Sequence, residues 1–354
     1  MIHLVWRQFR VQALTTLALL AVVAVVLAIT GPQLVHLYDT NVKPCRAQGD
    51  CSLVTKVFLS HYRLLQDLGS VVVVLPGLIG LFWGAPLVAR ELETGTYKLV
   101  WMQSTTRKRW LAVKLAVIGF ASVALTGLLT LMVTWWSSPI DRVNEAPFAV
   151  FDQRGIVPLA YALFAFALGM TSGLLFRRTI PAMVVTLVGF AGIRVAITSW
   201  VRPYLFAPLH FTSALLLPQG NETSNPSPAA LLRPGAWTLS DQTVNGTGRV
   251  IGQEGAISSG GGHMGVGFNY TGVGRATLQG VGPCPNKFPP QSAPVAVFER
   301  AAQACANKFN LREVLTYQPA SRYWALQWCE AGIFVALALV LVGVSFWLLR
   351  RRFA

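Results

Sequence analysis

Six long apolar runs separated by polar breaks set the pattern of this chain: residues 13–37, 69–89, 111–136, 156–176, 181–201 and 323–349. A helix rising about 1.5 Å per residue needs about 20 residues to cross a hydrocarbon core of about 30 Å, and every run is long enough. The pattern therefore predicts an all-α polytopic membrane protein with six transmembrane helices. The first run is longer than a secretory core, and Leu27-Ala28-Ile29-Thr30 offers no convincing small-residue cleavage site, so it reads as an uncleaved span. Pro76, Gly77, Gly80, Gly84 and Pro86 interrupt the second run, which predicts a kinked helix whose glycines admit a close neighbour. Pro181 starts the fifth run almost directly after Arg177 and Arg178, a tight helical hairpin.

The polar breaks divide the rest. Ahead of the first run, Trp6, Arg7, Phe9 and Arg10 suit a short interfacial helix over residues 1–12. Residues 13–201 then form a block of five spans, residues 202–322 a large outer loop domain between spans five and six, and residues 323–354 the sixth span with a basic tail. The glycine-dense stretch 246–282 predicts loops and short strands rather than a helical core. Phe298, Ala302, Cys305 and Phe309 recur at helical spacing and predict one amphipathic helix over 294–309. Asn221, Asn245 and Asn269 stand in glycosylation sequons that chance occurrence explains.

Composition narrows the class further. The chain is 53% hydrophobic and only 12% charged, against about 25% charged in soluble domains. Its net charge of +15 does not gather on one soluble domain, which speaks against a nucleic-acid partner. The basic residues flank the apolar runs instead. Thirteen Lys and Arg fall on the side that holds both termini, whereas the two short segments opposite hold four and two. That asymmetry predicts cytoplasmic N and C termini and a multi-pass protein of the cell membrane.

Cys45, Cys51, Cys284 and Cys305 all fall on the outer side of this topology, with Cys329 alone at the start of the last span. Four cysteines allow three pairings, and two local bridges are the simplest. Closing Cys45 to Cys51 would contribute roughly 2 kcal/mol and Cys284 to Cys305 roughly 3 kcal/mol on the chain-entropy account. Free buried thiols are the other reading, and bridges imply an oxidising exterior.

Arg194 is the only charge well inside an apolar run, roughly 21 Å from the inner end of its span. It either snorkels to the outer interface or meets a carboxylate at similar depth, Asp67 or, more readily, Glu330. An ion pair or a shared polar pocket near an outer gate is the expectation. No other catalytic chemistry stands out. His36, His61, His210 and His263 are scattered without carboxylate or cysteine at ligand spacing, so no metal site is expected. No G-x-x-x-x-G-K-[ST] occurs, and the glycines around Gly265 and Gly267 lack a strand-to-helix context for phosphate. The chain is not expected to be an enzyme by itself.

The break over residues 86–114, PLVARELETGTYKLVWMQSTTRKRWLAVK, carries the remaining signal. Arg90, Glu91 and Glu93 precede a Gly95-Thr96 hinge, a short amphipathic stretch holding Tyr97, Trp101 and Met102, and a Ser-Thr-Thr cap before the basic turn at Arg107. An acidic cluster, Gly-Thr, a short apolar helix and a basic re-entry resemble the permease subunits of type-2 ABC transporters. RGIVPLAYALFAFALG from Arg154 and YQPASRYWALQWCEAGIF from Tyr317 are similar to an exporter branch frequent in actinobacteria. The resemblance covers the membrane part and leaves 202–322 unplaced. It implies that residues 90–110 are a coupling segment on a separate ATPase subunit, which would hold ATP and Mg. It also implies a second permease copy as partner, homodimer or pseudo-symmetric pair, in a bacterial inner membrane. The function it implies is ATP-driven efflux of amphipathic or hydrophobic compounds such as drugs or antibiotics. The alternative from a different class is a polytopic sensor or immunity protein whose outer domain binds a ligand without transport.

Overall fold

The computed structural model describes residues 2–46, 54, 57–58, 68–96, 106–143, 147–214, 235–254, 304 and 306–352. Six helical segments in it are long and apolar enough to cross a membrane: Leu14–Cys45, Val71–Thr94, Arg107–Arg142, Val157–Phe176, Thr179–Tyr204 and Ala320–Arg351. Two compact units make up the chain, one from Met1–Asn144, Val150–Ile197 and Ala325–Ala354, the other from Glu145–Ala149 and Thr198–Trp324.

In the first unit, α1 runs Ile2–Leu37 and continues through a π turn at Tyr38–Val42 into α2, Lys43–Arg46. The helix expected over residues 1–12 is continuous with the first span here, since α1 runs from Ile2 to Leu37 as one helix with Pro32 inside it. The second span is broken as its prolines predict, into α3 (Leu68–Ile79), a π turn (Gly80–Gly84) and α4 (Ala85–Thr94). Helix α4 stops at Gly95, whose φ of 73° is the left-handed C-cap conformation that glycine adopts without strain. Then follow α5 (Arg107–Val143), a 3-10 segment (Pro147–Gln153), α6 (Val157–Phe176), α7 (Thr179–Ala196) with a π turn at Ile197–Val201, and α8 (Tyr323–Arg352).

All three π turns share a local cause. Pro44, Pro86 and Pro203 each sit two residues after the turn ends. Proline cannot donate to the carbonyl four residues back, and its ring crowds that carbonyl. Widening the turn in front makes the room, and at Ala85 the ladder bond runs five residues back to Gly80 O.

Helix α6 is the hub. It packs against α3, α4, α5 and α7, and its residues are buried on every side. Lipid tails are as apolar as leucine, so close backbone contact must hold such helices together. A Cβ at Gly169 would lie 2.4 Å from Gly80 O and 2.7 Å from Ala85 N, and one at Gly80 would lie 2.6 Å from Ala165 O. The contact is tight because both helices present glycine at the π turn. Around it sits a core that includes Trp83, Trp110, Ile118, Phe166 and Met170. A second core joins Leu27 and Leu34 of α1 to Leu129, Val133 and Trp136 of α5. Along α5, the hydroxyls of Ser122, Thr126, Thr130 and Ser137 each donate to the carbonyl four residues back, satisfying buried polar groups without water.

The second unit corrects the all-α expectation, which holds for the spans alone. It contains a four-stranded antiparallel sheet in the order β1-β4-β2-β3, from β1 (Leu209–Ala214), β2 (Trp237–Val244), β3 (Val250–Glu254) and β4 (Arg312–Gln318). REVLTYQ in β4 alternates Glu313, Leu315 and Tyr317 against Val314, Thr316 and Gln318, a β-rich septet set just before the sixth span. Gln318 ties the strand end to the Pro203 and Phe206 carbonyls at 3.1 and 2.7 Å. Asn245, the sequon residue, is a turn residue here: its Oδ1 accepts from Thr247 N, Thr247 Oγ1 and Arg249 N in the β2–β3 hairpin. Of the helix expected over 294–309, only 304 and 306–309 are described, with 304 and 306–308 helical. Cys329 is a free thiol, and Cys51, Cys284 and Cys305 lie outside the described residues.

Candidate functional site

Two sites of ionisable residues lie in the first unit, at opposite ends of its helices. The first is the base of the break between α4 and α5. Glu91, on the last turns of α4, is buried, and its Oε1 meets Lys114 Nζ of α5 at 2.7 Å. Lys114 is fully buried as well, donates to Leu87 O at 3.3 Å, and sits 4.6 Å from the Trp110 ring centroid. An ammonium taken out of water needs such partners, because the effective desolvation cost is several kcal/mol per ion. Glu93, two residues on, is exposed and reaches a different helix. Its Oε2 accepts from Thr179 N at 3.1 Å and from Thr179 Oγ1 at 2.8 Å, capping the N-terminus of α7. Arg178, the residue in the N-cap position, supplies no side-chain cap, so the carboxylate from α4 takes that part. Thr106 caps α5 as expected, accepting from Arg109 N at 3.4 Å.

Glu91 lies in the segment that the resemblance assigns to an ATPase contact. Its Oε1 faces inward to Lys114 and the side chain is buried, so it turns little of its carboxylate outward. Arg90 and Arg107 are exposed, Gly95 and Thr96 close α4, and Tyr97, Trp101 and Met102 lie outside the described residues. Lys114 stands in the re-entry sequence, but nothing in composition shows that it turns toward Glu91.

The second site lies at the opposite end. Arg194 of α7 does not stand alone: Nη2 is 3.5 Å from Asp152 Oδ2, Nη1 donates to Val73 O at 2.8 Å, and the guanidinium lies 5.0 Å from the Tyr161 ring. Tyr161 Oη bridges two carboxylates, 3.0 Å from Asp152 Oδ1 and 2.5 Å from Glu330 Oε1. Its single proton can serve only one of them at a time. Arg194 and Glu330 are thus brought into one buried cluster through Tyr161 and Asp152, and the carboxylate paired with Arg194 is Asp152. Asp152 sits in the 3-10 segment between the third and fourth spans, where a short mixed-charge connection offered no sign of burial. Tyr161 is the one hydroxyl-bearing aromatic in its apolar run, which was the available signal.

One turn before Glu330, Gln327 clasps the start of α6. Its Nε2 donates to Phe151 O at 2.9 Å and Arg154 O at 3.2 Å, and its Oε1 accepts from Ile156 N and Val157 N at 3.2 Å each. Gly155, at φ 76°, leaves the space, since a Cβ there would lie 2.7 Å from Gln327 Oε1. Arg154 closes the connection by pairing with Asp141 and Ser137 of α5. Among the described residues no group of His, Cys, Asp and Glu could hold a metal ion.

The first unit thus carries a buried acid–lysine pair at one end of its helices, an ionic cluster at the other, and a glycine-packed hub between. No curated protein and no solved structure matches the chain. Residues 17–202, just over half of its 354 residues, match the family model described as ABC-2 membrane transporter related, so the chain belongs to that family and is a multi-pass permease component of an ABC transporter.

Proposed function

We propose that this permease exports amphipathic or hydrophobic compounds, drugs or antibiotics among them, energised by a separate ATPase subunit that seats on residues 90–110. Two copies form the translocation path in a bacterial inner membrane, with both termini cytoplasmic and residues 202–322 outside. ATP and Mg belong to the ATPase. The observation that carries the reading is the fork at the end of α4: Glu91 grips Lys114 of α5, and Glu93 caps α7. A push delivered between Gly95 and Arg107 is then shared by three helices rather than absorbed at a loose loop. The buried charges of the described spans are taken up by one another, in the Glu91–Lys114 pair and in the Asp152–Arg194–Tyr161–Glu330 cluster, which leaves little for a polar ligand and fits an apolar cargo. We assign that cluster as an outer gate latch, because one side-chain network joins α6, α7, α8 and the Val73 carbonyl of α3.

The test is co-purification of the permease with an ABC ATPase from the same genome, followed by vanadate-sensitive ATP turnover in proteoliposomes. Wild type should retain the ATPase, and Glu93→Ala should retain it with turnover no longer stimulated by substrate. A permease that purifies alone and leaves the ATPase rate unchanged would remove the proposal.

A further inference from the structure

At the end of the spans opposite Glu91, a groove of about 430 Å³ runs beside the seam where α1 meets α5, lined by Gly31, Val35, His36 and Asp39 on the α1 side and by Trp135 and Trp136 of α5. Pro32 lies inside α1 at this level, and Asp39 stands on the π turn that follows. The two tryptophans differ in role. Trp136 is buried and donates its indole N–H to Thr30 Oγ1 at 2.9 Å, fixing the wall. Trp135 is 59% exposed and offers a ring to whatever enters.

We propose that this groove binds the ammonium head of a membrane amphiphile, with the Trp135 face and the Asp39 carboxylate as its cation-recognising pair. An aromatic face attracts a cation through its quadrupole, and tryptophan does so best. Asp39 supplies the counter-charge. Its neighbour Lys43 stands 3.6 Å away, but both side chains are well exposed, and an exposed pair of this kind holds its partners weakly. An arriving ammonium can take the place of Lys43. An anionic head would meet Asp39 at the rim and be disfavoured. Val35, exposed on α1, continues the groove as an apolar track for the alkyl chain, and tryptophan belts mark the depth where lipid heads sit. The same chemistry serves a phospholipid ammonium head or a soluble cationic amphiphile, and the site stands whether or not the chain exports.

The full chain in nanodiscs of phosphatidylglycerol alone should bind added phosphatidylethanolamine, read by native mass spectrometry, and dodecyltrimethylammonium, read by equilibrium dialysis. Dodecyl sulfate should not compete. Asp39→Asn and Trp135→Leu should each weaken both about tenfold, and Trp135→Phe should weaken them less. Gly31→Ala is a second route that leaves every charge in place, since its Cβ would lie 2.9 Å from the Trp135 ring edge and displace the ring, weakening both ligands. Displacement of the lipid by dodecyltrimethylammonium supports one shared site, and retention of the lipid alone supports a lipid head as the source. Equal affinity for dodecyl sulfate would overturn the proposal. So would undiminished binding in the Asp39→Asn, Trp135→Leu double variant when it melts like wild type.

Discussion

Lys114 and Arg194 are both cations in apolar surroundings, and each is held by a carboxylate that the polar pattern did not assign to it. Removing one partner of a buried pair leaves an uncompensated charge and costs about 3–5 kcal/mol, whereas replacing both by apolar groups of similar volume is often neutral. Lys114→Met should therefore lower the melting temperature in detergent sharply, and the Glu91→Leu, Lys114→Met double variant should recover most of the loss. If the two variants melt alike, the pair does not carry the base of the break between α4 and α5. The cluster around Tyr161 separates structure from function in a different way. Tyr161→Phe removes the bridging hydroxyl from two buried carboxylates and should cost about 1–3 kcal/mol. Arg194→Met should impair both folding and transport. Adding Asp152→Asn should restore expression without restoring transport, because the ionic latch is still missing. Full activity in the double variant would make the cluster a purely structural knot.

Helices meet in this protein through glycine, and the element scale tests that directly. Gly169 faces the Gly80 carbonyl and the Ala85 amide, which are backbone and cannot rotate away. Gly169→Ala should push α6 off the second span and cost at least about 1–3 kcal/mol, read as a lower melting temperature. Gly192 of α7 and Gly332 of α8 have nothing within 4 Å of an added Cβ, so alanine there should be neutral or slightly stabilising. Equal losses at Gly169 and Gly192 would mean that the α6 contact is not the limiting one. The glycines and prolines of residues 69–89 already predict a kink and a close approach. The π form of the kink is less visible, because the ladder can clear a proline ring by several local adjustments and the apolar pattern does not distinguish them.

For the whole molecule, the proposed assembly predicts two copies of the chain and two ATPases per particle by mass photometry, and a single copy would discard the paired path. Peptide mapping without reductant should find Cys45 joined to Cys51 and Cys284 joined to Cys305. A bridge from Cys45 to either distant cysteine would mean that the first outer segment folds against residues 202–322. What the sequence determined by itself was the number and place of the spans and the breaks between them, since burial in lipid demands long uninterrupted apolar runs and tolerates little else. The family resemblance was legible for the same reason, in the acidic, Gly-Thr and basic order of residues 90–110. Tertiary structure alone decided the partners: Glu91 with Lys114, Glu93 with Thr179, Arg194 with Asp152, and the strand at residues 312–318. Each joins residues from different elements, and a side chain's partner depends on which face two packed elements turn to each other, which one-dimensional periodicity does not encode.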